Sequence, residues 1–273
     1  MIVAKIESHS LIKSLIIWSI LFGVIVFGFS SVYPQMHSTA MKSVLDAKLG
    51  GLSPALLKTF NISVNGQSSF LVATGFFSYY FQYMFLAASI YAMMLGSQAL
   101  IKEETDGTIE FLYAQPITRK GIVSGKLLAN TGILVVFWLL SFVFSLGATL
   151  AFKQSTDNTD DILTALAKVY TQDGLILLFF LALGFLLSTC LKSSKQSTSI
   201  SLGIVFCFYL IGIFADLNQS FSWAQHFSPI HMGIPAKLLE KNLPIGTIGL
   251  FILFSGLFIV GTYAIYQRKD LKV

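Results

Sequence analysis

Six stretches of this chain are about as long as a bilayer core is thick and carry scarcely a charge: residues 13–33, 71–101, 127–152, 175–191, 198–215 and 245–266. About 20 mainly apolar residues in helical conformation cross the hydrocarbon layer. In lipid every backbone polar group must be satisfied internally, which a helix does alone. The stretches therefore predict an all-α integral membrane protein, a six-helix transmembrane bundle. Composition agrees, because charged residues make up 11% of the chain against about 25% in a soluble domain, too few to cover a water-facing surface. The first apolar run follows Lys5 and Lys13. It is longer than a signal-peptide core and ends in no convincing small-residue cleavage site, so it reads as a retained span.

The basic residues set the expected orientation. One set of segments holds Lys5, Lys13, Lys102, Arg119, Lys120, Lys126, Lys192, Lys195, Arg268, Lys269 and Lys272, including every arginine. The other, longer set holds Lys42, Lys48, Lys58, Lys153, Lys168, Lys237 and Lys241. Lys/Arg near span ends marks the cytoplasmic side, so both termini are expected there. The net charge of +5 does not indicate nucleic acid, because the basic residues are scattered beside apolar runs instead of forming a patch. Cys190 and Cys207 lie in apolar stretches and read as small buried apolar side chains, not as a disulfide or metal pair.

Three segments are expected outside: 34–70, 153–174 and 216–244. In the first, Met41, Val44, Leu45 and Leu49 fall at helical spacing and Ser53-Pro54 offers a helix start, which predicts short amphipathic helices on the membrane surface. The second carries Asp157, Asp160, Asp161 and Asp173 and reads as a solvated loop, since it lacks calcium-loop spacing. In the third, Pro229, Pro235 and Pro244 break an apolar segment into pieces that suit short re-entrant or interfacial helices. His226 and His231 there have no companion at zinc spacing.

No ionisable residue is expected near the middle of a span; Asp216 falls at an outer edge. Proton-driven carriers and charged filters place such groups inside the bundle, so both are disfavoured, and membrane-embedded catalytic pairs are also missing. Tyr79, Gln82, Tyr83 and Tyr91 form the candidate lining of a pathway. Ser141, Ser145, Gly147, Ser199, Ser201 and Gly203 are candidates for close helix packing.

The longest cytoplasmic loop, 102–126, is the most informative. Gly107 permits a tight turn, Thr108 to Ala114 could form a short helix with Ile109, Leu112 and Tyr113 on one face, and Pro116 ends it. Thr118 is the expected cap of a further helix running through Lys126 into the third span. A small apolar face between Glu103, Glu104 and Asp106 on one side and Arg119 and Lys120 on the other suits docking into a groove on a protein partner. With Glu110 these make four acids close together, which suit an anionic lipid surface poorly.

The string Glu103-Glu104-x-x-Gly107-Thr108-Ile109-Glu110-Phe111-Leu112-x-x-x-Pro116-Ile117-x-Arg119 resembles the signature loop of ABC-2 type transporter permeases. The span pattern, Ser228-Pro229 before the last span and the Arg268-Lys269-Asp270-Leu271 tail are also similar to members of that family. The resemblance implies that the loop is a coupling helix. Glu103, Glu104, Gly107, Thr108, Glu110, Phe111, Leu112, Pro116 and Arg119 would then serve contact with a cytoplasmic ABC ATPase subunit. It further implies a second permease copy or paralogue, and a place in a bacterial cell membrane. The nearest approach to a phosphate-binding loop, Gly121 to Leu127, has one residue too few between its glycines and Leu127 where Ser or Thr would meet magnesium. ATP and magnesium are therefore expected on the partner, with no cofactor and no enzymatic activity in this chain. The expected function is export of a hydrophobic or amphipathic molecule such as a drug, peptide or lipid. The rival is a membrane-embedded interaction or sensor protein that moves nothing.

Overall fold

The computed structural model describes residues 2–36, 66, 68–107 and 117–269. The amphipathic helices expected over 36–60 therefore lie, beyond Met36, outside the described residues. Every regular element described is helical: α1 (Ile2–Ser30), α2 (Tyr33–Met36), α3 (Ala73–Gln98), α4 (Lys102–Asp106), α5 (Arg119–Phe152), α6 (Thr159–Ser188), α7 (Ser194–Leu217), a 3-10 helix (Gln219–Phe227), α8 (Pro229–Met232), α9 (Pro235–Glu240) and α10 (Ile245–Arg268).

Five helices are long and apolar enough by composition to cross a membrane: α1 with α2 (Val3–Met36), α5, α6, α7 and α10. α3 has 26 residues, about 39 Å at 1.5 Å per residue, and fits the length as well. Its Tyr, Ser and Gln residues make it more polar. The physical reason is its position: α3 sits in the middle of the molecule against α6, with α7 beside it, and its buried residues run from Ala73 to Ser97. A helix surrounded by protein can carry hydroxyls that a lipid-facing helix cannot. α10 shows the opposite pattern, exposing Leu250, Ile252, Leu253, Leu257 and Val260.

Two boundaries differ from the sequence reading. α1 begins well before residue 13 because Glu7 on its first turns has a buried cation to meet. The segment read as an acidic loop, 153–174, is mostly the start of α6. Asn158 caps that helix, accepting from the Asp160 N–H at 3.1 Å. Asp160 and Asp161 occupy its first turn, where the positive end of the helix dipole favours acids. Ile162, Leu166 and Val169 then bury themselves.

Asp173 consequently lies inside a helix, fully buried, and neither of its carboxylate oxygens meets a hydrogen-bond partner. This corrects the expectation of an uncharged interior, which rested on treating Asp173 as loop.

α3 and α6 cross at two glycines. A β-carbon on Gly96 would stand 2.2 Å from the Leu181 carbonyl oxygen, and one on Gly184 would stand 2.5 Å from the Met93 oxygen. Close backbone approach of this kind is how membrane helices gain packing energy where lipid offers no hydrophobic drive. Of the small residues singled out in the sequence, Ser141 and Ser145 are buried on α5 and serve Tyr170 on α6. The Tyr170 hydroxyl donates to the Ser141 carbonyl at 2.8 Å and meets the Ser145 hydroxyl at 2.7 Å. Ser201 joins Ser97 at 2.7 Å. Gly203 has nothing within 4 Å. The aromatic core continues from Tyr170 to Trp138, with ring centroids 4.5 Å apart, and to Phe81 at 4.9 Å.

Candidate functional site

α3 ends at Gln98, and the chain turns through Ala99 to Ile101 into α4. α4 has five residues, with Glu103 and Glu104 in its first turn. Gly107 closes it in the left-handed conformation, φ 68°, its N–H donating to the Glu103 carbonyl; a residue without a β-carbon adopts that geometry freely. Thr105 fastens the helix to the neighbouring turn by accepting from the Ser194 N–H at 3.0 Å.

Glu103 and Glu104 of α4 turn inward, whereas Asp106 is exposed. Glu103 pairs with Lys126 of α5, whose ammonium also donates to the Ala99 carbonyl and lies 3.4 Å from Glu7 of α1. Lys126 is 1% exposed, so its charge is stable there only with these partners around it. Glu104 accepts from Lys269, just past α10, at 2.7 and 2.9 Å. Arg119 donates to the carbonyls of Gln267 and Lys269 at 3.0 and 2.9 Å. Cations at a helix C-terminus meet its unsatisfied carbonyls and its dipole favourably. Ser124 and Tyr263 meet at 2.6 Å one turn further in. The start of α1, the start of α5, the end of α10 and α4 thus converge at one end of the bundle.

Of the residues assigned to coupling, Glu103, Glu104, Gly107 and Arg119 belong to this cluster. Thr108, Glu110, Phe111, Leu112 and Pro116 lie outside the described residues. Thr118 caps α5 as its sequence context suggested, accepting from the Gly121 N–H at 3.1 Å. Gly121 to Leu127 are turns of α5, a regular helix. The sequence reading overlooked Glu7, Lys126 and Lys269 as partners. The available signal was an acid at the head of one apolar run and a lysine at the head of another, which in a bundle can meet.

The candidate pathway residues divide. Tyr79, Gln82 and Tyr83 share a face of α3. Gln82 and Tyr83 border a cavity of about 30 Å³ with Tyr209, Gly212 and Ile234, room for a water or two. Tyr91 is two turns along on another face, 2% exposed, with its ring 4.9 Å from Trp18 and 5.0 Å from Phe137.

The segment after α7 is broken at its prolines and folds over the first of these regions. Ser228 caps α8 by accepting from the His231 N–H at 3.1 Å and donates to the Phe208 carbonyl at 2.6 Å. This brings His231 within 3.0 Å of Asp216, with Lys237 2.6 Å from the same ring nitrogen. Gln225 donates to the other Asp216 oxygen at 3.1 Å. His231 and Asp216 are 15 positions apart, so no local motif announces the pair. His226, by contrast, is exposed. Among the described residues no group of three or more His, Cys, Asp or Glu is arranged to hold a metal ion.

The sequence of the whole chain matches one family model, described as ABC-2 family transporter protein, over residues 1–271. No curated protein matches the chain.

Proposed function

Because the chain belongs to the ABC-2 transporter family, we propose that it is the membrane subunit of an ATP-driven exporter, worked by an ATPase carried on a separate polypeptide. The observation that carries the reading is the anchoring of α4. Glu103 ties it to α5 and, through Lys126, to α1; Glu104 ties it to the end of α10. A push on the loop beyond Gly107 would therefore act on three helices at once and not be lost in a flexible linker. Rigid-body motion of packed helices is the usual way such a push becomes a change of access.

In this reading the end where α1 begins and α10 finishes faces the cytoplasm, and residues 108–116 meet the motor with Phe111 and Leu112 as apolar contacts. α3 supplies the sixth span. Glu103, Glu104 and Arg119 contribute to coupling by holding the lever and not by touching the ATPase. A second copy of the chain, or a paralogue, completes the pathway. The lipid-facing apolar helices and the weakly polar Tyr79–Gln82–Tyr83 face suit a hydrophobic or amphipathic cargo.

Co-reconstitution with the cognate ATPase subunit tests the proposal. Phe111→Lys is expected to insert normally and to abolish stimulation of ATP hydrolysis. Stimulation equal to wild type would show that the loop does not touch the motor. A cysteine placed at residue 111 should resist a membrane-impermeant thiol reagent added outside intact cells; ready labelling would invert the topology and remove the coupling role.

A further inference from the structure

We infer that a cleft between α1, α3 and α5, next to the charged anchor, binds the headgroup of an aminophospholipid, ammonium inward and phosphate at the mouth. α1 lies chiefly on α5 and touches α3 lightly, which leaves a cavity of about 180 Å³. That is the share of about six waters in the liquid. The site is independent of the coupling reading, since it concerns a bound lipid whether or not the chain transports anything.

The chemistry of the walls runs in a gradient. The deep end offers acceptors. The side-chain oxygen of Asn130 borders the cavity, is buried and has no hydrogen-bond partner, while its amide group is taken by the Lys126 carbonyl at 2.8 Å. Glu7, 7% exposed, lines the same cavity and shares Lys126 with Glu103. The hydroxyl of Tyr91 is also buried without a partner at hydrogen-bond distance, although Ser14 is near it. Buried polar atoms left unpaired cost about 1–3 kcal/mol each, so these atoms favour a ligand that donates. A primary ammonium carries three donors. The Trp18 and Tyr91 rings, 4.9 Å apart, add the aromatic surface that cations prefer.

The mouth offers donors. Ser10 is exposed and Lys102 half-buried. The Lys102 ammonium reaches the Ser10 hydroxyl at 3.4 Å and no carboxylate among the described residues. An ammonium with no carboxylate partner among the described residues stands at the opening and suits a phosphate. Leu11 and Met94 give the same cleft an apolar flank along which an acyl chain can lie. An ammonium joined to a phosphate by a short linker, with a hydrocarbon tail, is the one arrangement that meets all three walls.

The test uses the full chain in mixed micelles with equal phosphatidylethanolamine and phosphatidylcholine, and counts the lipid retained after detergent exchange by mass spectrometry. The methylated ammonium of phosphatidylcholine cannot donate, so wild type should retain phosphatidylethanolamine about ten-fold better, the worth of a charge-assisted hydrogen bond. Asn130→Leu should bring the two lipids to parity. Lys102→Gln should lower retention of both and leave the preference unchanged. If Asn130→Leu does not fold, Ser14→Leu, on the half-exposed wall, should block the cleft and abolish retention. Equal retention of the two lipids by wild type, a preference that survives Asn130→Leu, or full retention by Ser14→Leu would each overturn the assignment. Water-soluble glycerophosphoethanolamine should compete only weakly. Competition as tight as that of the lipid would make the ligand a soluble phosphoamine and overturn the lipid assignment.

Discussion

Replacing Lys126 by methionine probes the joint on which the coupling proposal rests. Methionine keeps an unbranched apolar stem of similar reach and removes the charge. Lys126 is 1% exposed, and the side chains of its partners Glu7 and Glu103 are 8% and 18% exposed. Without the ammonium, two carboxylates face one another in a nearly dry site and the Ala99 carbonyl loses its donor. Removing one partner of a buried ion pair costs about 3–5 kcal/mol; the residual access of Glu103 to water places this case near the lower end, about 3 kcal/mol. At about 2–4 °C per kcal/mol for a chain of this size, the melting temperature should fall by about 6–12 °C. The assay is thermal unfolding of the purified protein in detergent, followed by intrinsic fluorescence.

The triple variant Lys126→Met, Glu7→Gln, Glu103→Gln supplies the control. It leaves no uncompensated buried charge, which is the costly part of removing one partner alone, so it should regain most of the loss. In the coupled assay, however, both variants should show weakened ATPase stimulation, because the charged clamp on α4 is gone. Lys126→Met melting within about 1 °C of wild type, or a triple variant no better than the single one, would refute the claim that this lysine is held by its two acids.

Glu104→Lys and Lys269→Glu should each reduce ATPase stimulation, and the double exchange should restore it in part; failure of the exchange to restore anything would separate that contact from coupling. Gly96→Ala should destabilise by about 1–3 kcal/mol, because the new carbon would stand 2.2 Å from a backbone oxygen. Gly203→Ala, with nothing within 4 Å, should be neutral or gain up to about 1 kcal/mol of helix propensity, and equal melting of the two variants would discount the α3–α6 crossing. Asp173→Asn should fold and melt no lower than wild type, since the carboxylate makes no hydrogen bond that the amide would forfeit; a loss beyond about 1 kcal/mol would show a partner at that position.

Much of the bundle is legible in the amino-acid sequence. Continuous apolar runs in lipid have one backbone solution, so α5, α7 and α10 were marked by hydropathy alone, and Thr118, Gly107 and the prolines after α7 announced their local geometry. Local signals also misled. The acids of Asp157 to Asp161 suggested a loop, although two of them were helix-start acids, and Asp173 was carried outside with them. Tyr79, Gln82 and Tyr83 share a face by helical spacing, whereas Tyr91 looked equivalent in a list of polar residues and belongs to a different wall.

Composition and periodicity decide what a chain does with lipid, because transfer of backbone and side chains out of water depends on each segment separately. They established a helical membrane bundle and a loop whose residues resemble a coupling element. They did not decide which helix occupies the centre, that Glu103 and Glu104 turn toward Lys126 and Lys269, or that Asp216 meets His231. Those are pairings between residues distant in the chain, and their energies exist only after the helices have docked. Close approach at Gly96 and Gly184, the burial of α3 and the unpaired oxygen of Asn130 likewise come from how the helices fill space together.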